Sequence, residues 1–148
     1  MLIDSNIIVE IGRKQNKNRV CGDFLNSIKE GMISEEIFVT QFALHAIEAL
    51  VSDIDSNLIK DFLLLIHQGF IKTYNSKTED DLMAMAVKKD LKLDFDDAIQ
   101  FIAANKLQTY LVTYDKDFSH ASLQTKTPEE VLDELAKASY RWEESFIA

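Results

Sequence analysis

One cysteine, one proline, four glycines and three histidines in 148 residues exclude several classes of protein. The single cysteine, Cys21, cannot close an internal disulfide, so the chain is no disulfide scaffold. It falls on an apolar helical face and is expected in the core. With so few Cys and His residues, a zinc site has little to draw on. The scarcity of proline and glycine leaves no linker or low-complexity stretch, and no internal repeat is visible. No apolar run reaches the roughly 18 residues that a membrane span needs. The opening MLIDSNIIVEIGRK has an acid at position 4 and no basic segment, unlike a secretory signal, so a cytoplasmic location is expected. Basic charge is also in short supply. Sixteen Lys and Arg against 25 Asp and Glu leave a net charge of −9. A protein that holds nucleic acid by surface charge alone should be basic. This chain therefore either binds no nucleic acid or reaches phosphate through metal ions held by carboxylates. An acidic surface could also receive a basic partner.

What the chain does have is apolar content, 47% of it, enough for one domain with a core. Short β-prone runs alternate with helical periodicity. Strands are expected at Leu2-Ile3, Ile37 to Thr40, Phe70 to Tyr74 and Tyr110 to Tyr114. A short helix can open at Asn6. A second carries Val20, Cys21, Phe24, Leu25 and Ile28, with Gly31 as its stop. A third runs from Phe42 to Val51. A fourth starts at Asp55 or Ser56, carries Leu58, Ile59, Phe62, Leu63, Leu65 and Ile66, and stops at Gly69. The helix opening at Thr78 is expected to face the core with Leu82, Met83, Ala86 and Val87. Met83 and Met85 read as packing residues there rather than as a cofactor box. Thr127-Pro128-Glu129-Glu130 is a helix start, with a cap, a proline at the first position and acids behind it. A domain of residues 1–136 followed by a C-terminal helical tail, 137–148, is expected. Trp142 and Phe146 on that tail suggest a face that packs on the body or on a second subunit. Together with the very apolar helices between Phe42 and Ile66, they make self-association an expectation.

Strand–helix alternation predicts an α/β domain whose sheet is mainly parallel and covered on both faces. The most informative stretch is Leu93 to Phe118. Asp94, Asp96 and Asp97 open a helix that carries Ala98, Ile99, Ile102, Ala103 and Lys106 along one stripe. The uncharged strand that follows ends at Asp115-Lys116-Asp117. Asp4 likewise ends the first strand. Ligands of such sheets sit beyond the carboxyl ends of the strands. Each acid also has an ordinary reading as a helix cap or turn residue. Clustered carboxylates remain ionised together only with something positive among them. Hard oxygen ligands suit Mg²⁺ or Mn²⁺, and such a site suits phosphodiester cleavage. Arg13, Lys14, Lys17 and Arg19 form a basic cluster. It reads either as a solvated loop and helix start or as a phosphate-backbone contact next to Asp4. His45 and Glu48 lie three apart on a very apolar helix. The glutamate is either solvent-facing or functional, and His45 alone reads as a hydrogen-bonded packing residue.

Five segments then carry a family resemblance. They are Leu2-Ile3-Asp4-Ser5-Asn6, Glu48-Ala49-Leu50, Phe95-Asp96-Asp97-Ala98-Ile99-Gln100 with Ala103-Ala104 beyond, Val112 to Phe118, and Thr127 to Leu132. In this order, from residue 1 to about 135, the chain resembles a PIN domain, the fold of VapC-type toxin ribonucleases. The resemblance implies a three-layer α/β/α sandwich with a mainly parallel sheet of four to five strands. It implies an Mg²⁺- or Mn²⁺-dependent endoribonuclease acting on single-stranded RNA, the toxin of a toxin–antitoxin pair with an antitoxin partner. It maps the metal and catalytic acids to Asp4, Glu48, Asp97 and Asp115, with Ser5, Asn6, Asp96 and Asp117 accessory. Arg13, Lys14, Lys17 and Arg19 would hold substrate. Glu48 lies farther beyond its strand than the family pattern has it, and His45 is one turn away, so either could fill that position. A non-enzymatic binding or assembly module of the same fold is the alternative. A phosphatase that takes the phosphoryl group on an aspartate ranks below both, because Asp4-Ser5-Asn6 lacks an aspartate two residues on.

Overall fold

A computed structural model describes residues 1–147, without the side chains of residues 142 and 145–147, so the expected packing of Trp142 and Phe146 lies outside the described residues. Five short strands, β1 (Leu2–Ile3), β2 (Phe38–Thr40), β3 (Lys72–Tyr74), β4 (Leu111–Val112) and β5 (Thr125–Lys126), form one sheet in the order β3-β2-β1-β4-β5. Every pairing is parallel. Seven α-helices cover it: α1 (Ser5–Gly12), α2 (Asn18–Lys29), α3 (Gln41–Val51), α4 (Ser56–His67), α5 (Thr78–Leu91), α6 (Phe95–Leu107) and α7 (Pro128–Ile147). A 3₁₀ turn spans Lys116–His120. Among the described residues, no helix is long and apolar enough to cross a membrane.

The layers follow from strand alternation. Successive side chains point to opposite faces of a sheet, so Leu2 and Ile3, both fully buried, serve different cores. Ile3 and Val112 pack with Val39 beneath residues of α1, α2, α3 and α4. Leu2 and Leu111 pack with Ala103, Ala104 and Phe118 on the other face. The result is the three-layer α/β/α sandwich. Two helix stops sit at the expected glycines. Gly31 (φ +70°) and Gly69 (φ +85°) adopt the left-handed conformation just past α2 and α4. Met32 N–H bonds the Ser27 carbonyl, and Phe70 N–H bonds the Leu65 carbonyl, closing a Schellman motif at each end. Phe70 is thereby spent on ending α4, and β3 starts only at Lys72.

The fifth strand lies within the four to five expected, although Thr125-Lys126 is too short and polar to show a strand pattern. Two other expectations are corrected. The buried face of α6 is wider than one stripe, since Asp97, Gln100 and Ala104 are buried beside the apolar residues. On α5 the inner face is Asp80 and Ala84, with Val87 and Leu91 beside them, whereas Leu82, Met83 and Met85 are exposed. The register of α5 is set by a polar group. Asp80 is buried, accepting from Tyr74 Oη at 2.9 Å, from the Lys77 N–H at 3.0 Å and from Lys106. Lys106 and these hydrogen bonds hold its carboxyl well below the usual range, at about 2. Asp80 thus joins β3, α5 and α6 and seats α6 against the sheet. α7 runs unbroken from Pro128 to Ile147, so residues beyond 136 continue the closing helix.

Strand ends become helix starts without intervening loop. Asp4 caps α1 directly after β1, Thr40 caps α3 directly after β2, and Asp115 caps the 3₁₀ turn shortly after β4. This brings their side chains to one edge. The close packing of α1 on α3 fixes that edge: a Cβ on Gly12 would stand 2.6 Å from Val51 Cγ1. We expect Gly12→Ala to cost about 1–3 kcal/mol in urea unfolding, despite alanine's better helix propensity. The loss should shrink in a Val51→Ala background; an equal loss in both backgrounds would contradict the contact.

Candidate metal centre

Asp4 leaves the central strand almost fully buried, at 2% exposure. Its Oδ1 accepts from the Asn6 N–H at 3.2 Å and more weakly from Ser5 Oγ at 3.4 Å. Its Oδ2 accepts from Thr113 Oγ1 at 2.6 Å. Burial raises the Asp4 pKa; hydrogen bonds from Thr113, the Asn6 backbone and the Gln100 amide oppose the rise, and the charge of Asp115 adds to it. Ser5 holds Asp4 through its hydroxyl and Asn6 through its backbone. Thr113 was missed. It becomes Asp4's partner only because β1 and β4 pair in register, Ile3 opposite Val112. The Thr113 hydroxyl also accepts the Asp115 N–H at 2.9 Å, so one side chain ties two acids together.

Asp97 stands in the first turn of α6 and is 7% exposed. Burial pushes its pKa up to about 7, and the charges of Asp96, Asp115, Asp4 and Asp94 push in the same direction. Its carboxylate belongs to two groupings. Oxygens of Asp97, Asp115 and Asp117 lie within 4.8 Å of one another, as do oxygens of Asp94, Asp96 and Asp97. Asp115 Oδ1 accepts the Asp117 N–H at 2.8 Å, which fixes their mutual approach. Asp94 occupies the N-cap position of α6, yet its side chain makes no capping bond. Among the described residues none of these six aspartates forms a salt bridge. The balancing charge within the protein is partial, from the helix starts at Asp4 and Asp97. No thiol or imidazole belongs to either grouping. Oxygen-only donors of this kind fit a hard divalent cation such as Mg²⁺ or Mn²⁺.

Glu48 does not join this edge. Its carboxylate faces His45 Nδ1 at 3.6 Å, and both side chains are solvent-exposed to a large degree. His45 Nε2 in turn meets the Gln41 amide at 3.1 Å. The part of α3 that lines the small space against Asp96 and Gln100 is Phe42, Ala43 and Ala46. Residues 46 and 48 are two apart and so point to different sides of the helix. The basic cluster divides as well. Arg13 lines an open cavity of about 370 Å³ with Asn6, Gln15, Tyr114 and Asp115. Lys17 sits 3.7 Å from Glu129 and over the Tyr114 ring. Lys14 and Arg19 are exposed and do not line that cavity. Cys21 is buried, as expected, with Sγ 4.0 Å from Tyr114 Oη.

Residues 1–123 match the family model described as the PIN domain. A comparison with curated proteins gives no match. Among solved structures, the chain is similar to a toxin–antitoxin complex from Klebsiella pneumoniae, with 16% identity and a TM-score of 0.65. The match covers 86% of this chain and 96% of that one, and at such identity it is a likeness of fold.

The raised pKa of Asp97 has a definite sign for stability. Between the unfolded value near 3.8 and the folded value of about 7, the native state holds the proton more tightly. Its stabilising effect is full at low pH and is lost as pH rises through about 7. Asp4 acts in the same direction. Without metal, the melting temperature should fall from pH 5 to pH 7.5 by roughly 2–8 °C, the equivalent of about 1–2 kcal/mol. Asp97→Asn should flatten this fall and melt above wild type at pH 7.5. Identical pH profiles for the two proteins would contradict the account.

Proposed function

The chain belongs to the PIN domain family, and on that premise we propose that it is an Mg²⁺- or Mn²⁺-dependent endoribonuclease acting on single-stranded RNA. The observation that carries the reading is the grouping of Asp97 from α6 with Asp115 after β4, tied through Thr113 to Asp4 of β1, without a lysine or arginine paired to them among the described residues. These three would hold the cation, with Asp96 and Asp117 accessory. The bound ion would orient the phosphate and lower the pKa of the attacking water. The chain's own contributions are positional. Thr113 and the Asn6 N–H hold Asp4 in one orientation. Asp117's backbone holds Asp115. Arg13, which lines the open cavity together with Asp115, would neutralise a phosphate of the entering strand. Lys17, Lys14 and Arg19 would contribute at longer range. Glu48 is left out of this ligand set because its carboxylate is turned to His45.

The shared fold of the Klebsiella complex supports a place for this chain in a toxin–antitoxin pair, with the antitoxin as protein partner. Exposed apolar side chains on α3 and α4, among them Phe42, Leu50, Leu63 and Leu64, support self-association. Light scattering at high micromolar concentration should then give a dimer or larger species, and a clean monomer would count against it. The displaced Glu48 favours one second reading, a non-enzymatic module that keeps the fold and binds without cleaving.

Cleavage decides between the readings. Purified protein should cut single-stranded RNA with Mn²⁺ or Mg²⁺, and chelation should stop it. Asp97→Asn keeps the size of the side chain and should lower the rate by two orders of magnitude or more. Equal cleavage by both proteins would indicate a different site. No cleavage by wild type with either ion, under conditions where it is folded, would favour the non-enzymatic module.

A further inference from the structure

Gln100 lies one helical turn beyond Asp97 on α6, so the two side chains share a face. It is 2% exposed, and its amide lies near the Asp4 carboxylate. Its Oε1 is the one buried side-chain polar atom among the described residues without a hydrogen-bond partner. Such atoms are rare in folded proteins and call for a partner that is not protein. Gln100 lines a small cavity of about 10 Å³ with Ser5, Thr40, Phe42, Ala43, Ala46 and Asp96. That is room for about one water-sized occupant. The α3 residues at this cavity are Phe42, Ala43 and Ala46, whose side chains offer no ligand atom.

We propose that Gln100 supplies a neutral oxygen donor to the divalent cation held by Asp4, Asp97 and Asp115. The proposal rests on the metal-site reading above. Its logic is electrostatic. Three carboxylates already exceed the charge of one divalent ion, and a fourth would add repulsion in a buried place. An amide carbonyl adds a hard oxygen without charge, and Mg²⁺, Mn²⁺ and Ca²⁺ all accept such ligands.

The test is Mn²⁺ binding to metal-free protein, followed by the loss of the free-ion electron paramagnetic resonance signal, with melting curves in parallel. Gln100→Met removes the oxygen and fills the space; Gln100→Glu keeps an oxygen but lacks the N–H donor. Gln100→Met should weaken Mn²⁺ binding about 10- to 100-fold, while its metal-free melting temperature equals or exceeds that of wild type. Gln100→Glu should bind Mn²⁺ at least as tightly as wild type and melt lower without metal. Wild-type affinity in Gln100→Met would overturn the proposal and leave Oε1 serving a structural water only. Weak binding by both variants would also overturn it, because the amide N–H would then be what matters. Equal failure of wild type and Asp97→Asn to bind Mn²⁺ would instead remove the metal site itself.

Discussion

Asp4, Asp97 and Asp115 repel one another at an edge where, among the described residues, no lysine or arginine pairs with them. Two carboxylates about 5 Å apart in a half-buried site repel by roughly 3 kcal/mol. A domain of this size is stable by only about 5–15 kcal/mol. Repulsion of that order is tolerable only if protons, helix ends or a cation offset it. The protein uses the first two by itself. Asp97 takes up a proton near neutral pH, and helix starts stand behind Asp4 and Asp97. A divalent cation would replace the proton and turn a destabilising cluster into a binding site.

The position of that cluster is a property of the topology. From β1 the chain moves outward to β2 and β3 on one side, and later to β4 and β5 on the other. Where the order reverses, two neighbouring strands send their continuations away in opposite directions and leave a crevice at their carboxyl ends. Asp4 ends β1, and Asp115 follows β4, at that point. Thr113 is the connecting piece, since it donates to one acid and accepts from the backbone of the other. α6 brings Asp97 to the same place, and the pairing of buried Asp80 with Lys106, with Tyr74 beside it, holds α6 and α5 together. The site thus rests on a hydrogen-bonded edge: Asp4 is held by Thr113 and the Asn6 N–H, and Asp115 by the Asp117 N–H.

Much of this was legible in the residues. Leu93 to Phe118 shows a helix opening in acids and a strand ending in them, and Leu2 to Asn6 repeats the strand ending. Gly31 and Gly69 marked two helix ends because only they adopt a positive φ there cheaply. The missed features depend on contacts distant in sequence. Thr113 looks like any strand threonine until β4 pairs with β1. Gln100 looks like a solvent residue until α6 is buried on more than one side. Asp80 reads as a first-turn acid facing water, yet it defines the inner face of α5, and so Leu82, Met83 and Met85 point outward. Glu48 was read by residue type and approximate place, but the angle around α3 decides its neighbours, and it falls to His45.

The central claim, that one divalent cation is held among Asp4, Asp97 and Asp115, is tested most directly by a crystal structure grown with Mn²⁺ and measured near the manganese absorption edge. The account predicts an anomalous peak within coordinating distance of Asp97 and Asp115 oxygens, next to Asp4, at the carboxyl ends of β1 and β4. A well-ordered crystal with these carboxylates in place and no peak among them, or with a peak only at the outer Asp94–Asp96 pair, would contradict it.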